Sequence, residues 1–249
     1  MINARNIEFG YSAAPVLRNI SCTIGRGSLV ALVGPNGSGK STLVKCIGGI
    51  LKVRKGDILI DGKDTESYSP NAMARKVAYV PQSESRQAPA TVFDTVLTGR
   101  KPYIGWKPSE SDLHIAARAL ELLDMEHLAM KRTDELSGGQ RQTVMIARAL
   151  AQEPEILLLD EPTANLDVRH QMEVMEVLKK LSAQGITIVI AIHDINMAFR
   201  YAGVIMMLKE GRVFSCGPRE TVTAVMIEEL YGIKASIITV DGIQYVIVR

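Results

Sequence analysis

Apolar residues in this chain gather in short continuous runs, separated by glycine-bearing polar turns and by longer stretches of helical spacing. In the first 30 residues the apolar pieces break at Gly10, Pro15, Gly25 and Gly27, which predicts strands and tight turns rather than a long helix. Leu29–Val33 is wholly apolar and predicts a buried strand ending at a glycine-rich turn, after which residues 41–50 read as helix. Residues 58–60, followed by Asp61 and Gly62, form another strand and turn. Over 111–123, Leu113, Ala116, Ala117, Leu120 and Leu123 are spaced to share one helical face, and 140–151 predicts a second helix. Ile156–Asp160 is a continuous apolar run suited to a sheet covered on both faces. Val168–Ala183 returns to helix and 186–192 to strand. This alternation predicts an α/β core.

Residues from about Pro89 to Glu135 keep helical character and offer no central strand. They predict a helical subdomain inserted into the core, with linkers near Gln82 and Leu136. Near the far end, Asp241 and Gly242 separate two apolar runs, a two-residue turn signal for a closing hairpin. That hairpin either packs on the core or helps to pair subunits. No internal repeat, low-complexity tract or heptad array is visible.

Composition narrows the classes. With 249 residues, 47% hydrophobic and 22% charged, the chain can bury a substantial core and lacks the make-up of a disordered segment. Its 29 basic and 27 acidic residues leave a formal charge of +2, too balanced to imply a nucleic-acid partner. Lys52, Arg54 and Lys55 read as solvated surface. Cys22, Cys46 and Cys216 are odd in number and widely spaced, which predicts free thiols in a reducing compartment rather than a zinc site or disulfide frame. The apolar runs at 186–192 and 204–208 fall far short of the roughly 20 residues that cross a bilayer. The amino end has no apolar signal-like core. The expectation is a cytoplasmic chain that another protein must hold if it works at a membrane.

The strongest local pattern is Gly34, Pro35, Asn36, Gly37, Ser38, Gly39, Lys40, Ser41 and Thr42. It matches the phosphate loop, with a strand before it and a helix after it as the motif requires. Glycines let the backbone wrap a β-phosphate, and amides converge on the anion at a helix start. Lys40 can reach the β- and γ-phosphates, the Ser41 hydroxyl can ligate Mg²⁺, and Thr42 can contact the α-phosphate. Asp160 ends its apolar strand and is expected to hold the metal, directly or through water. Glu161 follows it and can polarise the water that attacks the γ-phosphate. Hydrophobic-Asp-Glu alone is weak and gains weight from the phosphate loop.

Gln82, after an apolar run ending at Val80 and Pro81, reads as a strand-end side chain reaching the metal or attacking water, although in isolation it is a surface glutamine. His193 follows 186–192 and can contact the γ-phosphate across the sheet edge. His114, His127 and His170 read as surface or locally hydrogen-bonded groups. Leu136, Ser137, Gly138, Gly139 and Gln140 place a hydroxyl and two glycines at a helix start, either as a structural cap or as a second anion site. Because one phosphate cradle already exists, the second site points to a nucleotide shared between subunits.

Together these residues closely resemble the ATP-binding cassette (ABC) family, in order from about Ile7 to Gly217. Residues 34–42 resemble Walker A, Ile156 to Glu161 Walker B, and Leu136 to Gln140 the LSGGQ signature. Gln82 matches the Q-loop, Ala164, Asn165, Leu166 and Asp167 the D-loop, and His193 the switch histidine. The resemblance implies one ABC ATPase domain over 1–249: a P-loop NTPase α/β core, a peripheral antiparallel β subdomain, a helical signature subdomain over roughly 83–150, and a hairpin extension at 233–249. It implies ATP and Mg²⁺, the metal held by Ser41, Gln82 and Asp160. Two copies would bind head-to-tail, with Ser137 to Gln140 of one covering ATP held by the other. Glu161 would be the catalytic base, His193 and Gln82 would position water, metal and phosphate, and Asp167 would communicate across the dimer. Tyr11 resembles the aromatic A-loop residue that stacks on adenine, although an isolated tyrosine could equally be core.

A narrower resemblance is to importers of iron–siderophore complexes, haem and cobalamin. It lies in Thr91 to Arg100 with Pro102 and Tyr103, in His193, Asp194, Asn196, Ala198, Arg200 and Tyr201, and around Gly217, Pro218, Leu230, Tyr231 and Gly232. It implies a peripheral subunit at the cytoplasmic face of the membrane, two integral permease subunits and an extracellular or periplasmic substrate-binding protein. The D-loop departs from that subgroup, which often has serine and alanine before Leu-Asp. Other cargoes, an exporter, and DNA- or ribosome-associated work are the alternatives. The last is disfavoured because only 43–135 separates Walker A from the signature and the chain has one phosphate loop.

Overall fold

The computed structural model describes residues 1–82, 90–164 and 166–249. Pro89, the first residues of the expected helical subdomain and Asn165 of the D-loop lie outside the described residues. The chain opens with β1 (Ile2–Phe9) and β2 (Leu17–Ile24), and β3 (Leu29–Val33) leads into α1 (Lys40–Ile47). β4 (Lys55–Ile60), β5 (Lys63–Asp64) and α2 (Pro70–Lys76) precede β6 (Val77–Val80). Then come α3 (Val92–Leu97), α4 (Glu110–Glu121), α5 (Gly138–Ala151), β7 (Ile156–Asp160), α6 (Val168–Ala183) and β8 (Thr187–Ala191). α7 (Ile195–Tyr201), β9 (Val204–Lys209), β10 (Arg212–Pro218), α8 (Ala224–Tyr231), β11 (Ala235–Val240) and β12 (Ile243–Val248) complete the order.

Among the described residues the central sheet runs β10-β9-β3-β8-β7-β6, parallel except for the β9–β10 pair. β3 shows how it is covered. Leu29, Ala31 and Val33 join a cluster with the helices α3 to α7, while Val30 and Leu32 join a second cluster with α1. Alternate side chains leave opposite faces of a strand, so an unbroken apolar run serves both layers. The second sheet, β2-β1-β4-β5, is antiparallel and closes over α1 from the other side. Its Ile2, Ile7, Leu17 and Ile20 are fully buried, each worth about 1.5–3 kcal/mol of transfer free energy.

Several elements fall where the pattern puts them, and the exceptions have local causes. α1 stops at Ile47 rather than 50 because Gly48 and Gly49 follow, Gly49 with φ 67°. In α4 the inner face is Asp112, Ala116, Ala119 and Leu120, whereas Leu113 is 41% exposed. Asp112 sets that face: it closes a capping box with Ser109 and accepts from the buried Arg100 Nε at 3.0 Å. β11 and β12 meet at Asp241 (φ 50°) and Gly242 (φ 77°), the paired positive φ that a two-residue hairpin turn needs. All three cysteines are free, and burial pushes the Cys22 and Cys46 thiols up to about 12. No helix among the described residues is long and apolar enough to cross a membrane.

Candidate active site

Three adjacent parallel strands deliver the site. Register pairs Val80 of β6 with Leu159 of β7, and Asp160 of β7 with Ala191 of β8. The residues just past those strand ends, Gln82, Glu161 and His193, therefore reach one edge of the sheet. Gln82 Nε2 donates to Glu161 Oε2 at 2.5 Å, and His193 Nε2 meets Glu161 Oε1. Glu161 itself has φ 51°, a left-handed backbone that costs a non-glycine residue on the order of 1 kcal/mol or more. Its amide is anchored on Ala191 O at 3.0 Å, which fixes the carboxylate between its two neighbours.

The phosphate loop lies against the same edge. At Gly34, φ is 150° and an added Cβ would stand 2.1 Å from Leu208 O, so only glycine fits. Gly39 (φ 101°) is the N-cap of α1 and supplies no side-chain acceptor, leaving the first amides of the helix to an outside anion. Lys40 Nζ donates to Gly34 O at 2.8 Å and Pro35 O at 3.1 Å, which uses two of the three donors of its ammonium group. Burial lowers the Lys40 pKa, while the charges of Glu161 and Asp160 act in the opposite sense. Gly37, Lys40, Ser41, Thr42, Glu161 and His193 line a common cleft.

Ser41 Oγ donates to Asp160 Oδ1 at 2.7 Å, joining the two loops expected to hold a metal. Among the described residues no group of three or more His, Cys, Asp or Glu could hold a metal ion without help. Ser41, Asp160 and the Gln82 amide are all oxygen donors, which suits Mg²⁺ with its remaining ligands drawn from phosphates and water.

The signature residues are not brought to this cleft. Ser137 caps α5 and forms a reciprocal box: Gln140 N donates to Ser137 Oγ at 3.2 Å and Ser137 N to Gln140 Oε1 at 3.0 Å. A Cβ on Gly138 would meet nothing within 4 Å, so this helix start faces open space. Gln140 lines a separate groove with His170 and Glu173. Asp167 caps α6, accepting His170 N at 2.9 Å and contacting His170 Nδ1 at 2.8 Å.

The family description for ABC transporters matches residues 17–164. The chain belongs to the ABC transporter family. An uncharacterised ABC transporter ATP-binding protein of Methanocaldococcus jannaschii is 45% identical over 99% of this chain and 97% of its own length. The petrobactin import ATP-binding protein YclP of Bacillus subtilis is 37% identical over 97% of each chain. The ferric enterobactin transport ATP-binding protein FepC of Escherichia coli is 36% identical over 95% of this chain and 89% of its own. An inward-facing transporter proposed to be of metal-chelate type superposes with TM-score 0.87 at 30% identity, covering 100% of this chain and 96% of the other. The dimeric cassette MJ0796, in a post-hydrolysis state bound to ADP and Pi, gives TM-score 0.78 at 33% identity over 88% and 99%.

As an ABC ATPase, the chain carries further contacts that motif spacing did not disclose. Tyr11 is 65% exposed, so it is not core; its ring stands edge-on to Phe9 at 5.0 Å and its hydroxyl is 3.5 Å from Thr42 Oγ1. Tyr79 was overlooked: its hydroxyl donates to Asp160 Oδ2 at 3.4 Å. Strand alternation relates residues two apart, so the pattern that leads from β6 to Gln82 carries no signal for Tyr79, three residues earlier. Ser38 Oγ is buried without a hydrogen-bond partner, a polar atom facing the start of the loop.

Proposed function

We propose that this ABC ATPase binds and hydrolyses ATP in a head-to-tail homodimer beneath two membrane permease subunits, driving import of an iron(III)–siderophore complex, haem or cobalamin. The observation that carries the reading is the convergence of Gln82, Glu161 and His193 beside the phosphate loop. Amides at the start of α1 and the Lys40 ammonium bind the phosphate chain. Ser41, Asp160 and Gln82 would hold Mg²⁺, which when bound neutralises charge on the β- and γ-phosphates. Glu161 takes a proton from the attacking water, and its Gln82 and His193 contacts fix the carboxylate in place and orient it at the γ-phosphate. Tyr11 presents an exposed ring on which adenine can stack.

Signature residues remote from their own phosphate loop make sense if they face a second copy. Ser137 to Gln140 then close over the partner's ATP, with Asp167 beside them reporting across the interface. The helical segment over 90–150 and the groove bounded by Ile50, Leu51 and Met73 offer the permease its docking side. Cargo follows from the siderophore-import relatives, since no residue of this chain needs to touch it; an external binding protein would deliver it.

Mass spectrometry of the intact complex, purified through this subunit from gently solubilised native membranes, tests the reading. Two ATPase copies with two polytopic subunits are expected, and a retained binding protein marks import. Polytopic partners that export a substrate would support another ABC transporter instead. Recovery with ribosomal or DNA-processing proteins and no polytopic partner would overturn the transport reading.

A further inference from the structure

The C-terminal hairpin grips the helix that follows His193. α7 is only seven residues long and starts two residues after His193, so its own backbone bonds give it little independent stability. Asp194 caps it, accepting from Asn196 N at 2.8 Å and Met197 N at 3.1 Å. Ala198 and Phe199 pack it into the main core, and a second hold comes from later in the chain. Asn196 turns its carboxamide on β12 and pairs with it as a neighbouring strand would: Val246 N donates to Asn196 Oδ1 at 2.7 Å, and Asn196 Nδ2 donates to Val246 O at 3.2 Å. Val246 is 5% exposed, so these bonds are partly shielded from competing water. At the other end of α7, Arg219 Nη1 donates to Phe199 O at 3.0 Å.

The hairpin is in turn fixed to the body of the protein. Ala235 N donates to Glu228 Oε1 at 2.9 Å, tying β11 to α8. Tyr231 of α8 packs against the main core with its hydroxyl buried. His193 therefore hangs between two supports, β8 before it and the α7–hairpin clasp after it.

We propose that Asn196 is a positioning residue for ATP hydrolysis, through which the C-terminal hairpin holds His193 against Glu161. Losing the clasp lets α7 shift on the hairpin, and His193 shifts with it. Its distance from Glu161 and from the γ-phosphate then becomes variable, while the phosphate loop that binds ATP is untouched. A purely structural hairpin would affect stability alone.

This inference rests on the reading of His193 as part of the hydrolytic site, and a double-mutant cycle separates the two. ATP turnover and KM are measured on the full chain for wild type, N196A, H193A and the double variant, with single-turnover assays for the slow ones. N196A is expected to lower kcat roughly tenfold, the scale of a sub-ångström misplacement, with KM for ATP within about twofold. In the H193A background the same change should have no further effect on kcat. N196D, which keeps the acceptor for Val246 N–H, should fall between, and it serves if N196A folds poorly. Unchanged kcat in N196A, or the same fold loss with and without His193, overturns the inference and leaves the reading of the site intact. Wild-type turnover by H193A overturns both.

Discussion

Two helices of this chain begin with glycine-rich, anion-ready turns, and they are finished differently. α1 starts at Gly39 with no side-chain cap, so its amides are left unsatisfied among the phosphate-loop residues. α5 starts at Ser137 with a reciprocal capping box that satisfies both Ser137 N and Gln140 N from within. An uncapped helix start needs its anion, whereas a self-capped one is stable alone and gains an anion only as a second partner. Under the proposed head-to-tail dimer the difference would divide the tasks: α1 would bind nucleotide within one chain, and α5 would engage it only when another copy presents it.

The largest test of that division concerns Glu161. Replacing it with Gln keeps the phosphate loop and both helix starts intact while removing the proposed base. Turnover is expected to drop by about 10²–10⁴-fold, the usual share of a general base, with ATP binding retained and a closed dimer accumulating in size-exclusion runs with ATP. Fast, wild-type-like hydrolysis would sink the role given to Glu161.

The far end of α5 supplies the next effect. Arg100 is 4% exposed; its Nη1 donates to Ala151 O at 2.8 Å, at the C-terminal carbonyl end of the helix, and its Nε donates to Asp112 Oδ1. Arg100→Ala leaves Asp112 with only its Ser109 contacts and uncaps the helix, so the midpoint of thermal unfolding should fall clearly. ATP affinity should stay as it is, since α1 is remote from this pair. A matching fall in affinity would mean that α5 and α1 are not separable.

Lys40→Ala comes third. Losing a charge-assisted donor costs about 1.5–3 kcal/mol, so calorimetry should show ATP binding weakened by roughly 10- to 150-fold. Because the ammonium is buried against loop carbonyls, some of that effect is loss of loop shape, and Lys40→Arg should fail to restore it. Undiminished binding would count against the phosphate role.

These contrasts explain what sequence could and could not disclose. β3, β7 and α6 were legible to the residue because an apolar run or stripe is bounded by unmistakable polar turns. The three residues Gln82, Glu161 and His193 were legible as strand ends, and their mutual contact followed from parallel register. Leu113 was misplaced because helical spacing alone cannot see that Asp112 pairs with Arg100, a residue 12 positions earlier. Tyr79 was missed for the same reason: its partner Asp160 is 81 residues away. The clasp between Asn196 and Val246 depends on a side chain imitating a strand, which leaves no periodic trace.

The smallest effect probes the comparison most directly. Ser137→Ala removes the acceptor of Gln140 N and costs the monomer about 1 kcal/mol, the ordinary value of a cap. If α5 were only a capped helix, that loss of stability would be the whole outcome. If its start also closes over the partner's ATP, the same variant weakens the ATP-dependent dimer of the Glu161→Gln protein, while ATP binding to the separated chain is unchanged. Gln140→Ala breaks the other half of the box and removes a second residue given to the partner's ATP, while leaving the Ser137 hydroxyl in place. Sedimentation of both variants in the Glu161→Gln background should therefore show a weaker ATP-dependent dimer for each than for Glu161→Gln alone. A dimer as strong as the Glu161→Gln parent's in both would reduce the α5 turn to a cap, and the contrast with α1 would then be one of local stability rather than of two halves of a shared site.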